Sequence, residues 1–326
     1  MVRGFLMRRI GIVTSGGDAP GMNAAIRAIV RLSSLNDFET LGFERGWEGL
    51  IRNCFKELTS RSVGGILHLG GTILRTSRCP QFREKEFLEK AADNLTRNNV
   101  DGLAVLGGDG SFKGALALSK ETDAQIVCIP ATIDNDVFGT DETIGFDTAV
   151  NTAVSEVDKI RDTAISHERT FIVEVMGRKR GFLASSIGLT VGAEAILVPE
   201  VTFSEEKLYE TIEKNAAKGK KSSIIIAAEG TTDIRKLAKN IEQNTRSDVR
   251  ISILGYVQRG GSPTARSRAL ANLFASKAIE IFLKGDNGVV VGLRGKEITC
   301  IDLETSCTTE KPLDLKLLKL AEKLAT

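Results

Sequence analysis

Three polar side chains stand at every second position just after an apolar stretch of the chain. Thr132, Asp134 and Asp136 follow the run 124–129 and Pro130. If this segment is extended, side chains two residues apart lie on one face, so a hydroxyl and two carboxylates point the same way. Carboxylates that lie this close repel each other, and a bound cation or an accepted proton relieves the repulsion. The spacing predicts metal binding, proton transfer or both; the alternative is a polar turn in which Asp is a turn former.

Two glycine-rich loops also follow apolar runs. Gly16 to Asp18 follows the run 9–13, and Gly107 to Ser111 follows the run 103–106. Successive glycines let backbone N–H groups converge on an anion, and the dipole of a following helix adds to the attraction. Glycine pairs also occur simply in tight turns, so either loop alone is weak evidence. Neither has the Walker A or the dinucleotide-binding pattern, and protein-kinase signatures are absent.

Arginines cluster in the loops beside these segments. A single loop arginine is usually solvated. Several at strand ends, together with Asp-rich loops that can hold a cation, indicate a site for a polyphosphate and a second phosphorylated compound, because guanidinium groups bind phosphate oxygens in pairs. The arginines are Arg75, Arg78, Arg83, Arg169, Arg178, Arg250 and Arg259.

The elements that position these residues repeat one pattern. A short β-branched apolar run is followed by a glycine-rich or polar loop and then by a helical pattern. Apolar strands that alternate with helices predict an α/β fold with parallel sheets covered on both faces. Ligands of such sheets bind outside the carboxyl ends of the strands. The predicted strands are 9–13, 103–106, 171–175, 196–198, 224–227 and 251–254.

The length of 326 residues is sufficient for two domains. A helix is predicted from near Phe146, because apolar residues recur every three or four positions up to Ile160. This helix is long enough to connect two domains, and we place a boundary near Gly145. A second amphipathic helix is predicted over 313–324.

Composition excludes several classes of protein. The net charge of +2 argues neither for nor against a nucleic-acid partner, and no apolar run is long enough to span a membrane. Five cysteines without a C-x-x-C pair are typical of a reducing cytosol, not of a disulfide framework or zinc site. With two histidines, a histidine-centred mechanism is disfavoured. We expect a cytoplasmic protein with no nucleic-acid or membrane partner; Met7 is a second candidate start.

From about Arg8 nearly to its C-terminus, the sequence resembles the ATP-dependent 6-phosphofructokinases of the bacterial type. Many ordered motifs at consistent spacing carry the resemblance. They are residues 14–27 (TSGGDAPGMNAAIR), 70–72 (GGT), 107–111 (GGDGS), 130–136 (PATIDND), 173–178 (VEVMGR) and 258–263 (QRGGSP).

The resemblance implies phosphoryl transfer from ATP to the 1-hydroxyl of fructose 6-phosphate. Asp134 would be the base that accepts the hydroxyl proton, with Thr132 beside the γ-phosphate. Arg78 and Arg178 would neutralise charge on the transferring group, and Asp136 would support Mg²⁺. Phosphoryl transfer needs mainly positioning, electrostatic stabilisation and a placed carboxylate, so these residue types suit it.

By the same resemblance, the remaining motif residues divide among the bound molecules. Asp109 and Asp136 are the implied magnesium ligands. Arg169 and Arg250 would reach the 6-phosphate from a neighbouring subunit of a homotetramer. The implied ATP-site residues are Gly17, Trp47, Arg78, Cys79, Arg83, Gly108, Asp109, Gly110 and Ser111. The implied sugar-phosphate residues are Thr132, Ile133, Asp134, Arg169, Met176, Gly177, Arg178, Glu229, Arg250, Tyr256 and Arg259. The implied effector residues are Arg27, Arg31, Arg161, Glu194, Lys218 and Lys220.

The implied fold has two Rossmann-like three-layer domains with mainly parallel sheets and the active site in the cleft between them. Residues 1–145 and 258–308 would form the large, ATP-binding domain. Residues 146–257 and 309–326 would form the small, sugar-phosphate-binding domain. The sites of the homotetramer would be shared between subunits.

Some positions depart from the family pattern. Pyrophosphate-using relatives carry Asp and Lys where this chain has Gly110 and Ala131, so ATP is favoured as donor. Tyr256 replaces a usual His, and a phenol cannot become cationic near neutral pH. Ser60 stands where an Arg is usual in the effector site, and Ser222 where a basic residue or His can occur. We therefore expect a weak response, or none, to ADP and phosphoenolpyruvate.

Other functions stay open from the sequence alone. A pyrophosphate-dependent phosphofructokinase, or a kinase of a related sugar phosphate, is the nearest alternative. A non-catalytic sugar-phosphate or nucleotide sensor would be expected to lose a carboxylate or a phosphate-binding arginine, and none is lost. A nicotinamide-dependent dehydrogenase would share the α/β pattern but lacks its fingerprint.

Overall fold

The computed structural model describes residues 9–325, so Met7 lies outside the described residues. The strands are β1 (Arg9–Thr14), β2 (Glu39–Phe43), β3 (Phe55–Glu57), β4 (Gly102–Gly107), β5 (Gln125–Thr132), β6 (Ile144–Gly145), β7 (Thr170–Val175), β8 (Ala195–Leu197), β9 (Ser223–Ala228), β10 (Val249–Ile253), β11 (Val289–Arg294) and β12 (Glu297–Asp302). The α-helices are α1 (Met22–Leu35), α2 (Trp47–Ile51), α3 (Lys85–Arg97), α4 (Asp109–Leu118), α5 (Phe146–Ser166), α6 (Phe182–Thr190), α7 (Glu205–Ala217), α8 (Ile234–Asn244), α9 (Ala265–Lys284), α10 (Leu303–Thr308) and α11 (Leu315–Leu324).

The described chain divides into two compact units. The first contains residues 9–148 and 259–311, and the second contains 149–258 and 312–325. The assignment of one unit to ATP and the other to a sugar phosphate stays a prediction.

The first unit is built on a sheet of order β12-β11-β5-β4-β1-β2-β3, with β6 paired to the end of β5. Its central strands are parallel, and β3 and β12 pair antiparallel at the two edges. Val13, Leu103 and Ile126 are fully buried in these strands and pack in one core cluster with Phe112 and Leu95 of the helices. Continuous apolar strands between helices are what a parallel sheet buried on both faces requires.

The second unit contains a parallel sheet of order β10-β7-β9-β8. Its core joins Ile172 and Ile225 of the strands to Leu237 and Ile241 of α8. With mainly parallel sheets in both units, the predicted α/β fold is confirmed.

One part of the opening prediction is wrong: the chain does not stay extended from Thr132 to Asp136. Strand β5 passes through Pro130 and ends at Thr132. Asn135 then adopts a left-handed conformation with φ 54°. Asn tolerates this conformation better than most residues, and its Nδ2 donates to the carbonyl of Asp141 at 3.0 Å. The alternation of side chains therefore does not continue to Asp136.

A lysine far along the chain joins two backbone carbonyls of the loop after β5. Lys311 Nζ donates to the carbonyl of Asn135 at 2.8 Å and to that of Asp141 at 3.2 Å. Burial lowers the pKa of Lys311 to about 8, although the carboxylates of Asp141, Asp136 and Glu142 act in the opposite direction.

A buried amide on α1 ties a second loop to the end of β1. Asn23 is 1% exposed. Its Nδ2 donates to the carbonyls of Leu69 at 3.2 Å and Gly70 at 3.1 Å, and its Oδ1 accepts from the backbone N–H of Ile73 at 2.7 Å. Thr72 then bonds Thr14 of β1 at 3.2 Å between hydroxyls. Loop 69–73 is thus fixed beside the strand end.

Between residues 9 and 325, no helix is both long and apolar enough to cross a membrane.

We predict that Asn23→Ala destabilises the protein by about 1–3 kcal/mol, because it leaves buried backbone groups of loop 69–73 without partners. The measurement is equilibrium urea unfolding. The control is Asn36→Ala, which removes an exposed amide that bonds only the carbonyl of Leu32. Equal unfolding free energies for the two variants would contradict the prediction.

We also predict a stability difference that depends on pH. The unfolded chain holds the Lys311 proton up to its usual pKa of 10.5, whereas the folded chain loses it near 8. The unfolded state therefore binds more protons between these values, and stability rises with pH in that window. Relative to Lys311→Met, the wild type should gain on the order of 2 kcal/mol from pH 8 to 10.5.

Urea unfolding of both proteins across this range measures the difference, in which the other titrating groups cancel. A constant difference between the two proteins would show that Lys311 has its ordinary pKa in the folded state.

Candidate functional site

Three adjacent strands of the first unit deliver their loops to one edge of the sheet. In register, Thr14 of β1 lies beside Leu106 of β4, and Gly107 of β4 lies beside Pro130 of β5. Because the three strands are parallel, the loops after Thr14, Gly107 and Thr132 all leave at the carboxyl edge. The structure therefore brings together the two glycine-rich loops and the aspartate loop.

The glycines of these loops are required by close packing. A Cβ atom on Gly107 would lie 2.5 Å from Ser111 Oγ, and one on Gly16 would lie 3.0 Å from the same oxygen. A Cβ atom on Gly108 would lie 3.2 Å from the Cβ of Thr132. The buried hydroxyl of Ser111 thus sits between both loops, and only glycine lets the backbones approach this closely.

The N-terminus of α4 is open where the loops meet. The helix begins at Asp109, and a Cβ atom on Gly110 would have no neighbour within 4 Å. Asp109 forms an ion pair with Lys113 one turn later, at 2.8 Å. Free N–H groups and the helix dipole attract anions at such an end, so this edge has the chemistry of a phosphate site.

Arg259 covers the first glycine loop. Its Nη2 lies 3.0 Å from Asp18 Oδ1, and its Nε lies 3.4 Å from the Asp18 carbonyl. A Cβ atom on Gly17 would lie 2.0 Å from the same Nη2. The residue predicted for the sugar phosphate is therefore placed beside a loop predicted for ATP.

The aspartate loop holds one carboxyl group in a protected position. Asp134 is 5% exposed, and its backbone N–H donates to Thr132 Oγ1 at 3.2 Å. The Thr143 hydroxyl donates to the Thr132 carbonyl at 2.5 Å, which fixes the end of β5. Asp136 is half-buried. A carboxylate held in this way can accept a proton from a bound hydroxyl group.

The donor set suits a magnesium ion that arrives with a nucleotide. Residues 9–325 contain no group of three or more His, Cys, Asp or Glu side chains that could hold a metal by themselves. Mg²⁺ commonly binds one or two carboxylates together with substrate phosphates and keeps several waters. Asp109 and Asp136, in loops that leave the same sheet edge, fit that pattern.

Four other residues implied for the ATP site, Trp47, Arg78, Cys79 and Arg83, lie outside these three loops. Trp47 is 4% exposed and stacks on Phe82 with ring centroids 4.3 Å apart. It is a core residue of the first unit, so stacking on adenine would need its ring to be uncovered. Arg78 and Arg83 are exposed, and Cys79 is half-buried.

In the second unit, one carboxylate pairs with both arginines predicted for the 6-phosphate. Arg169 Nε lies 2.6 Å from Asp248 Oδ2, and Arg250 Nη1 pairs with Asp248 Oδ1. Asp248 precedes β10 and carries no motif, so the sequence did not reveal it. The pairing brings two guanidinium groups to one place.

The loop after β7 is anchored by two side chains of the second unit. The backbone N–H of Met176 donates to Gln258 Oε1 at 2.9 Å, and that of Arg178 donates to Glu229 Oε1 at 2.7 Å. Gly177 has φ 134°, where a side chain would be strained. Burial, together with the Glu229 carboxylate, raises the pKa of Glu174.

The side chains of Arg178 and Tyr256 are exposed, Tyr256 at 77%. Gln258 and Glu174 are two more polar residues beside the loop after β7, and neither of them has a role assigned from the sequence.

Four predicted effector residues lie in the second unit. Lys220 pairs with the buried Glu194, which also accepts from the Ile224 N–H at 2.5 Å, and Arg161 donates to the carbonyl of Val191. Lys218 is exposed.

Glu194 also lines a cavity of about 580 Å³ between β8, α7 and α11. In the first unit, Arg27 is half-buried and Arg31 is exposed.

Comparisons with known proteins identify the family of this chain. The family model described as phosphofructokinase matches residues 9–282. The ATP-dependent 6-phosphofructokinase of Lysinibacillus sphaericus is 46% identical over 319 residues, which cover 98% of this chain and 100% of that protein.

Solved structures have the same fold. A Pichia pastoris phosphofructokinase chain in the T-state matches with a TM-score of 0.88 and 35% identity, over 92% of this chain. This chain spans only 35% of that longer yeast chain. A pyrophosphate-dependent phosphofructokinase from Marinobacter aquaeolei matches with a TM-score of 0.83 over 95% of this chain and 86% of that chain. Its 20% identity shows the shared fold alone. The chain therefore belongs to the phosphofructokinase family.

Proposed function

We propose that this protein is an ATP-dependent 6-phosphofructokinase, which converts fructose 6-phosphate and ATP to fructose 1,6-bisphosphate and ADP in glycolysis. The observation that carries the proposal is the shared sheet edge, where two glycine loops and the N-terminus of α4 meet the protected carboxyl group of Asp134. The similarity along the whole chain to a relative named for the same activity supports it.

Asp134 accepts the proton of the sugar 1-hydroxyl as that oxygen attacks the γ-phosphorus of ATP. The bond between the γ-phosphorus and the bridging oxygen breaks, and ADP leaves. The Asp134 side chain is 5% exposed, so burial holds the carboxylate in place and positioning supplies much of the rate. Thr132, whose hydroxyl accepts from the Asp134 N–H, lies beside the transferring group.

The donor phosphates bind the loops after Gly16 and Gly107 and the open end of α4. Arg78 and Arg178 neutralise charge on the transferring phosphoryl group. Mg²⁺, when bound with ATP, supplies further charge neutralisation and orients the phosphates, and Asp109 and Asp136 would hold it.

The sugar phosphate binds to the second unit through Arg169 and Arg250, whose convergence on Asp248 supports one anion site. Met176 to Arg178, Glu229 and Tyr256 complete the sugar site. The enzyme acts in the cytoplasm as a homotetramer in which these two arginines serve a neighbouring subunit. The effector residues stay a prediction.

Replacing Asp134 by Ala should lower kcat by about 10²–10⁴-fold and leave the KM for both substrates nearly unchanged, because the base accepts the proton in the transition state. Steady-state kinetics with a coupled assay measure both constants. Asp123→Ala, an exposed aspartate of the same unit, is the control. A near-native kcat for Asp134→Ala would exclude Asp134 as the base.

Donor choice should follow from Gly110, where the structure leaves open space that an Asp side chain would fill with negative charge. ATP should support turnover and pyrophosphate should not. The assay compares both donors against a panel of sugar phosphates. Turnover with pyrophosphate alone would establish the pyrophosphate-dependent alternative, and preference for another acceptor would establish a related sugar-phosphate kinase.

Sharing of sites between subunits is tested by mixing two inactive variants, Asp134→Ala and Arg250→Ser, after dissociation and reassociation. Some sites would combine an intact Asp134 with an intact Arg250, so activity should partly return. Each variant reassociated alone is the control. Verified hybrids without activity would mean that Arg250 serves its own subunit.

A further inference from the structure

Lys311 lies outside every motif, yet its ammonium group reaches the aspartate loop. The residue is 177 positions beyond Asp134 in the chain, and both belong to the first unit. Its Nζ donates to the carbonyl of Asn135 at 2.8 Å. That carbonyl belongs to the residue between Asp134 and Asp136, the proposed base and a proposed magnesium ligand.

The same ammonium group also spans the loop. It donates to the Asp141 carbonyl at 3.2 Å, and this carbonyl accepts a second bond, from Asn135 Nδ2 at 3.0 Å. Asn135 and Asp141 are thus joined twice, once directly and once through Lys311. Two donors, Lys311 Nζ and Asn135 Nδ2, thus share the Asp141 carbonyl, and together they restrict the loop more than either bond alone.

The left-handed conformation of Asn135 needs stabilising contacts, and the bonds between Asn135, Asp141 and Lys311 supply them. Asn135 has φ 54°, a region that non-glycine residues seldom occupy, so the surrounding contacts must stabilise it. The directions in which Asp134 and Asp136 leave the backbone depend on this turn. The carboxylates of Asp136, Asp141 and Glu142 are the charged groups that act on the ammonium group, and all three favour its presence.

We propose that Lys311 is a positioning residue for the transfer reaction, because it holds the left-handed turn at Asn135 that orients Asp134 and Asp136. This inference rests on the proposed function for its kinetic consequence, but the loop order that it describes does not. Lys311 touches no reacting atom; it acts through the backbone of Asn135.

Lys311→Met keeps the length and apolar stem of the side chain and removes the donor. We expect kcat to fall by about 10–100-fold, since small displacements of a reacting group have effects of that size. The KM for ATP and fructose 6-phosphate should change by less than about threefold, because the substitution leaves unchanged the glycine-rich loops and arginines that bind the phosphates in the proposed function. Lys296→Met, an exposed lysine of the same unit in the β11–β12 turn, is the matched control.

Two additional measurements separate positioning from general destabilisation. Amide hydrogen exchange should become faster in the peptide 131–144 of Lys311→Met and stay unchanged in β4. In Lys311→Ala, added ethylammonium should restore part of kcat, while it should not restore Asp134→Ala. Lys311→Arg, which keeps a cationic donor, should retain more activity than Lys311→Met.

The inference is overturned if Lys311→Met has the kcat and the exchange pattern of Lys296→Met. It is also overturned if exchange rises throughout the first unit, or if both KM values rise with kcat unchanged. If the wild type does not phosphorylate fructose 6-phosphate, the proposed function is wrong, and the exchange of peptide 131–144 still decides whether Lys311 holds the turn.

Discussion

The parallel pairing of β1, β4 and β5 is the constraint on which the proposed site depends. Parallel strands leave a sheet at the same edge, so the pairing of these strands brings together three loops that are far apart in the sequence. Glycines in these loops then let them pack closely together. Ser111 can lie between the loops of Gly16 and Gly107 only because neither residue has a side chain. Sheet register and glycine packing together determine where donor phosphates can bind.

Much of this arrangement could be predicted from local patterns. The apolar runs before the glycine loops are β1 and β4, and the helix predicted from near Phe146 is α5. Such signals are strong because a buried strand and its following loop leave their composition in consecutive residues. The family resemblance then assigned roles that composition could not.

The sequence was less informative where distant residues meet. Strand β5 ends at Thr132, and the left-handed turn at Asn135 after it has its carbonyl bonded by Lys311, 176 positions away. Asp248 was also missed, because no residue next to it in the sequence marks it as the partner of Arg169 and Arg250. Trp47 is an example of the opposite kind: the family resemblance implies that it binds ATP, but its ring packs against Phe82 in the core. Long-range side-chain partners are set by tertiary structure, and one sequence carries no periodic signal for them.

If Arg169 and Arg250 bind a phosphate, as proposed, their pairing with Asp248 gives that site a built-in competitor. Two guanidinium groups and one carboxylate leave a net charge of about +1, so the arginines are held in position before any ligand arrives. An incoming anion must compete with an internal carboxylate that is already in place. A phosphate monoester with nearly two negative charges has an advantage in that competition, whereas a singly charged sulfate ester or sugar acid does not. Such a site would reject ligands by their valence before it distinguishes them by their shape.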